Sequence, residues 1–222
     1  MKLVIVLLLC YLAAAAAFAG ALKTAQRARR PILVPLRAAK ASIGSDVKTL
    51  LDANRGRVGK LASISPDTNE ITLLRFALQF PLDADAESAL RDTLKWRQGA
   101  GRSIVESAAK AVADATAGGG WDNEPVRLAA PNADAINRYI TTKNILTISM
   151  EDTGDLMYVI RASSIDDKAL MDRVSVQQLV DFLLYVKEVH SIIVNKRSEQ
   201  AGRLCGVVFA NDISGIRAIP DR

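Results

Sequence analysis

The chain has 222 residues, half of them apolar and 24% charged, with one histidine and two cysteines. That balance excludes a disordered chain, and too few ligands are present for a structural zinc site or a disulfide framework. The net charge of +5 is no sign of nucleic-acid binding: Lys2, Lys23, Arg27, Arg29, Arg30, Arg37 and Lys40 all precede the first acid, Asp46, and outnumber the net excess.

The chain opens on "KLVIVLLLCYLAAAAAFAGALK", a short basic start, an apolar centre and a run of small residues suited to signal-peptidase cleavage. The uncharged stretch 3–22 is also long enough to span a bilayer, since about 20 residues at 1.5 Å each cover ~30 Å of hydrocarbon. "KTAQRARRPILVPLRAAKASIGS" follows, rich in Arg, Lys, Ala and Ser and without an acid, which is transit-peptide composition. Together the two resemble the bipartite leader of a complex plastid, with Phe18 at the start of the transit part. Two other readings stand beside it. One is an uncleaved anchor, whose heavier positive charge on the C-terminal side keeps the folded part in the cytosol. The other is a plain secretory signal.

From Asp46 to Ala117 the pattern is helical. "SDVKTLLDANRGRVGKL" is an amphipathic piece. "PDTNEITLLRFALQF" takes Pro66 and Asp67 as its entry and sets Ile71, Leu73, Leu74, Ala77 and Leu78 on one side. "PLDADAESALRDTLKWRQ" restarts with Asp83 as the expected N-cap and Ala86, Leu90, Leu94 and Arg97 along a face. "RSIVESAAKAVADATA" is a further helix, ended by Gly118–Gly120, and "WDNEPVRLAAPNAD" is a linker.

After Asn144 the period changes. "NILTISM" and "LMYVIRA" are strands joined by a tight turn at "EDTGD". "SSIDDKALMDRV" starts a helix with Ser164 three residues before Asp167. "SVQQLVDFLLYVKEVHSIIVNKRSEQ" opens on a capping box, Ser175 with Gln178, and carries Leu179, Phe182, Leu183, Val186 and Ile193 on one face. "LCGVVFANDIS" reads as a buried parallel strand. Strand, long helix, strand is a βαβ crossover, so the fold class is α/β behind an N-terminal helical layer. The expected domains are a leader at 1–45, a helical region at 46–120, a linker at 121–143 and an α/β domain at 144–222.

Catalytic signatures are absent from the sequence. No GxGxxG, Walker A or GxSxG stretch occurs, and "AGGGW" follows a helix instead of opening one. His190 lies inside the long helix, Asp166 and Asp167 are charges at a helix start, and Asp212 belongs to a strand-end turn. The expectation is a protein without catalytic activity, cofactor or metal.

"TLLRFALQFPLDADAESALRDTLKWR" (72–97), "DTGDLMYVIRASSIDDKALMDRVSVQQLVDFLLYVKE" and "GVVFANDISGI" resemble, in order, the helical element, the "GRPVYV" strand with its helices, and the "DLSG" strand end of CRAL-TRIO proteins. These are the yeast-type phosphatidylinositol/phosphatidylcholine transfer proteins. The resemblance covers 72–216 and implies a lipid or other hydrophobic ligand held between a sheet floor and covering helices. It makes Trp96 a packing anchor that fixes the N-terminal helical layer to the lipid domain. It places the ligand-binding positions at Tyr158, which keeps the family's tyrosine, and at Thr147, Val207 and Phe209, where the family's hydroxyl-bearing residues are replaced; Phe80 stands where a headgroup arginine would lie. A ligand less polar than phosphatidylcholine or phosphatidylinositol is therefore expected. The family's remaining strands and gate helix would follow position 216, so the α/β domain is expected to be C-terminally incomplete. The partners implied are a phospholipid or other hydrophobic molecule and a membrane surface, with no nucleic acid. The alternative is a protein-interaction module with a vestigial lipid pocket, docking a partner protein at an exposed sheet edge.

Overall fold

A computed structural model of the chain describes residues 43–212. The leader and its cleavage, and the expectations on Ser214 and Ile216, lie outside the described residues. Among those residues no helix is long and apolar enough to cross a membrane. The chain is mixed helix and sheet, and it divides into two compact units. One comprises 43–102 with Val194–Gly206. The other comprises Ser103–Ile193 with the strand that begins at Val207. The division runs between Arg102 and Ser103.

Among the described residues the first unit contains three whole helices, α1 (Val47–Ile64), α2 (Glu70–Gln79) and α3 (Asp83–Gln98). Asp46 caps α1 by accepting from the Thr49 amide at 2.7 Å. The entry to α2 differs from expectation. Asn69, not Pro66–Asp67, is the cap, because its Oδ1 reaches the amides of Ile71 and Thr72. Asp83 is likewise not a cap: Leu82 holds that position without a side-chain bond. Asp83 is instead the first helical residue, and its carboxylate meets Arg57 Nε and Lys60 Nζ, both at 2.7 Å. These two cations hold it below the usual carboxylate range, Lys60 first. Arg57 also donates to the carbonyls of Ala77 and Phe80, the unsatisfied C-terminal groups of α2, so one guanidinium ties all three helices together.

Leu61, Leu74 and Leu90, from α1, α2 and α3, are each at most 2% exposed in one apolar cluster. Each such side chain contributes about 1.5–3 kcal/mol of burial. The Trp96 indole lies over Gly101: a Cβ there would lie 2.3 Å from the ring, so only glycine fits that close approach. Arg75 joins α2 to the 194–206 segment, donating to Asn195 Oδ1 at 2.7 Å and to the Cys205 carbonyl at 2.8 Å.

The second unit begins with α4 (Arg102–Thr116). The expected linker contains two short helices, α5 (Asn123–Leu128) and α6 (Ala133–Ile136). Strands β1 (Ile145–Ser149) and β2 (Leu156–Arg161) form the expected hairpin; at its turn Gly154 takes φ 74° and donates its amide to the Met150 carbonyl, while Met150 N donates to the Asp155 carbonyl. A short 3-10 turn, Ala162–Ser164, leads to α7 (Asp167–Arg173). The cap of α7 is Asp166, bonded to the Ala169 amide, and not Ser164, whose hydroxyl turns back to the Arg161 carbonyl. The long helix α8 (Val176–Ala201) starts with the anticipated capping box: Gln178 N donates to Ser175 Oγ at 3.2 Å, and Ser175 N donates to Gln178 Oε1 at 2.8 Å.

Strand β3 (Val207–Asp212) then pairs parallel to β2, giving a sheet of order β1-β2-β3. The parallel pairing agrees with the sequence reading, but the expected burial does not. No residue of β3 is buried, and Val208 is 44% exposed. An unbroken apolar run is compatible with an edge position, because burial is decided by what lies alongside the strand.

Two substitutions test this account of the helical unit. Arg57→Ala leaves two helix-end carbonyls and a carboxylate without their shared donor. It is expected to lower the unfolding free energy by about 1–3 kcal/mol in urea melts, and by more than Lys60→Ala does. Gly101→Ala is expected to cost a similar ~1–3 kcal/mol through overpacking against Trp96.

Candidate functional site

Strand alternation sorts the sheet into two faces of different character. Thr147, Tyr158 and Phe209 are cross-strand neighbours in one row of the inner face, and Ser149, Leu156 and Val207 form the next row. All four positions implied by the family resemblance, Thr147, Tyr158, Val207 and Phe209, thus share one face. Thr147 and Tyr158 are buried, Val207 is half-buried and Phe209 is 39% exposed. Phe209 stands edge-on to Tyr158, with ring centroids 5.9 Å apart.

Helix α8 packs onto this face through His190. Its Nε2 shares a hydrogen bond with Thr147 Oγ1 at 2.9 Å, and its ring meets Tyr158 edge-on at 4.9 Å. Burial, reinforced by the charge of Lys187 one turn earlier, holds the imidazole near pKa 3, so the ring is neutral at physiological pH. Burial also lowers the Lys187 ammonium to about 8. His190 is thus a packed, neutral ring of the helix–sheet contact.

Beside the outer edge of β1 lies a cleft, walled by α5, the stretch after α6, β1 and the first half of α8. Val126, Ile140, Ile145, Phe182 and Tyr185 supply its apolar and aromatic walls, and Thr147 and Tyr158 reach it from the sheet. Its enclosed room is about 40 Å³. That is space for a few water molecules and far from enough for a lipid tail. Tyr185, wholly buried, donates its hydroxyl to the Val126 carbonyl at 2.8 Å, and burial pushes its pKa up. Asn137 donates to the Arg127 carbonyl at 3.1 Å, while its Oδ1 is buried without a hydrogen-bond partner among the described residues. Asn123 closes the strand edge itself: its amide accepts from Thr147 N and donates to Thr147 O, each at 2.9 Å.

The outer face carries Ile148, Met157 and Val208 in one row and Leu146, Val159 and Ala210 in the next. None of the six is buried; Ile148 is 42% and Val208 44% exposed. Arg161 and Asp212 stand at the end of this face, in the row after Val159 and Ala210. The sequence carried a signal for this surface that alternation alone would have found. In "ILTIS" and "LMYVI" apolar residues fall on both parities, so both faces of the hairpin are apolar. Asn123 left no such signal, since its role depends on a contact 24 residues away.

Comparison with protein-family models, with curated proteins and with solved structures returned no match for this chain.

The burial of His190 has a measurable consequence. Its folded pKa of about 3 lies below the ordinary value of 6.5, so the unfolded chain takes up the proton first. The stability that goes with the neutral ring is fully present above pH 6.5 and falls on acidification towards pH 3, by about 1.4 kcal/mol per pH unit. His190→Gln removes the titrating group. The difference in unfolding free energy between the two proteins should therefore shrink steadily from pH 6.5 downwards, while a difference that stays constant would show the ring to be accessible to protons in the folded state.

Proposed function

We propose that the chain is a non-catalytic binder of a lipid or other hydrophobic molecule, on a CRAL-TRIO-like arrangement of sheet and helices. The observation that carries the reading is the outer face of the sheet, two rows of three apolar side chains without a polar group among them. Apolar surface of this kind is unfavourable in water, and each CH₂ of a ligand laid against it gains about 0.8 kcal/mol. The cleft on the inner side, with Thr147 and Tyr158 on its wall, has room for no more than the tip of such a molecule. The ligand body therefore lies on the outer face, and its source is a membrane surface. Its uncharged part meets Met157 and its neighbours, and only the far end reaches polar residues at Arg161 and Asp212. The order of elements supports the same reading, with a hairpin, a long helix and a parallel third strand in the succession that the resemblance implies.

The test is extraction of lipid from the purified full chain, followed by titration with a fluorescent fatty-acid analogue. Val208→Asp puts a charge on an already exposed position of the face and is expected to weaken probe binding by at least about tenfold with little change in melting temperature. A protein that carries no extractable lipid and binds no probe would sink the reading and leave a protein-interaction module in its place.

A further inference from the structure

The outer edge of β1 is closed in an unusual way. In an antiparallel ladder, a hydrogen-bonded pair of residues exchanges both N–H···O bonds. The Asn123 side chain makes both of those bonds to Thr147, each at 2.9 Å, so a single amide stands where the opposite residue of a fourth strand would stand. The element that delivers it is lightly held. Helix α5 has six residues and none of them is buried. Its carbonyls are tied by Tyr185 at Val126 and by Asn137 at Arg127.

We infer that the outer edge of β1 is a self-pairing interface, latched by Asn123, whose occupant after release is the same strand of a second copy of this chain. The sequence around Thr147 is self-complementary when two copies run antiparallel about a two-fold axis at that residue. Thr147 then exchanges both backbone bonds with the partner's Thr147, in place of Asn123. On the outer face Leu146 comes opposite the partner's Ile148, an apolar pair of the kind that stabilises sheets. Just beyond the strand ends the exposed Lys143 faces the partner's Glu151, which is exposed as well, and the symmetry makes this contact twice. The same register offset by two residues would lose the Lys143 match, so charge fixes the alignment as well as the partner. Joining two three-stranded sheets in this way makes the apolar outer faces continuous across the dimer. The interface stands on edge geometry and charge, and it holds or fails independently of the lipid reading.

Sedimentation equilibrium of the full chain, with hydrogen exchange at the Thr147 amide, tests the inference. Asn123→Ala is expected to shift the protein from monomer to dimer, and the Thr147 amide should become more protected as concentration rises. In that background Lys143→Glu should weaken the dimer by about threefold or more, and adding Glu151→Lys should restore it. A folded Asn123→Ala protein that stays monomeric, or a charge swap that moves nothing, would overturn the interface. Should Asn123→Ala not fold, Asn123→Asp keeps the bond from Thr147 N, loses the one to Thr147 O, and is read by the same outcomes.

Discussion

Helix α8 packs against one face of a three-stranded sheet, and the shared contact of His190 with Thr147 and Tyr158 fixes which face that is. Strand geometry does the rest. Because side chains alternate, choosing Thr147 and Tyr158 for the helix side commits Leu146, Ile148, Met157 and Val159 to the opposite side. A shift of one residue in either strand would exchange the two sets. It would bury the outer row and turn a threonine and a tyrosine to solvent. The neutral, desolvated imidazole tolerates its position because it shares a hydrogen bond with Thr147, without which a buried ring nitrogen costs about 1–3 kcal/mol.

The edges of the sheet show two different solutions to one problem. A strand edge exposes donors and acceptors that recruit another strand. At β1 the chain meets this with a side-chain amide from 24 residues upstream, a local mimic of a peptide group. At β3, the last strand on the other side among the described residues, every residue is half-buried or exposed. The first unit handles its unsatisfied groups with charge instead. Arg57 closes the carbonyl end of α2 while pairing with Asp83, and Arg75 does similar work for the Cys205 carbonyl. Charge-assisted bonds of this kind are the stronger sort, and they suit a half-buried guanidinium with several donors to place.

Legibility from sequence followed the range of each interaction. The Ser175–Gln178 box and the turn at Gly154 involve residues within a few positions of one another, and both stand as read. The helix entries at Asn69, Leu82 and Asp166 were each misplaced by one to three residues. Several Ser, Asp and Asn residues compete for such caps, and the winner is set by which oxygen meets the orphan amides once the preceding turn is in place. Asp83 is the clearest instance: its carboxylate is drawn to Arg57, 26 residues away, and composition cannot foresee that partner. The candidate site divides in the same way. Val207 and Phe209 share a face as strand alternation requires, whereas their alignment with Thr147 and Tyr158 depends on the pairing register and the contact with His190 needs the long helix to return over the hairpin.

By itself the sequence determined the number and order of helices and strands between Asp46 and Asp212 apart from the two short helices of the expected linker. It also determined the antiparallel hairpin and the parallel return after a long helix, since periodicity, turn residues and connection length are local quantities. Only the tertiary structure decided that 194–206 joins the helices of the first unit, that among the described residues β3 is a partly exposed outer strand and not a buried one, and that Asn123 closes β1. Each of those outcomes depends on which surfaces meet, and the burial of a residue belongs to its neighbours in space as much as to its own side chain.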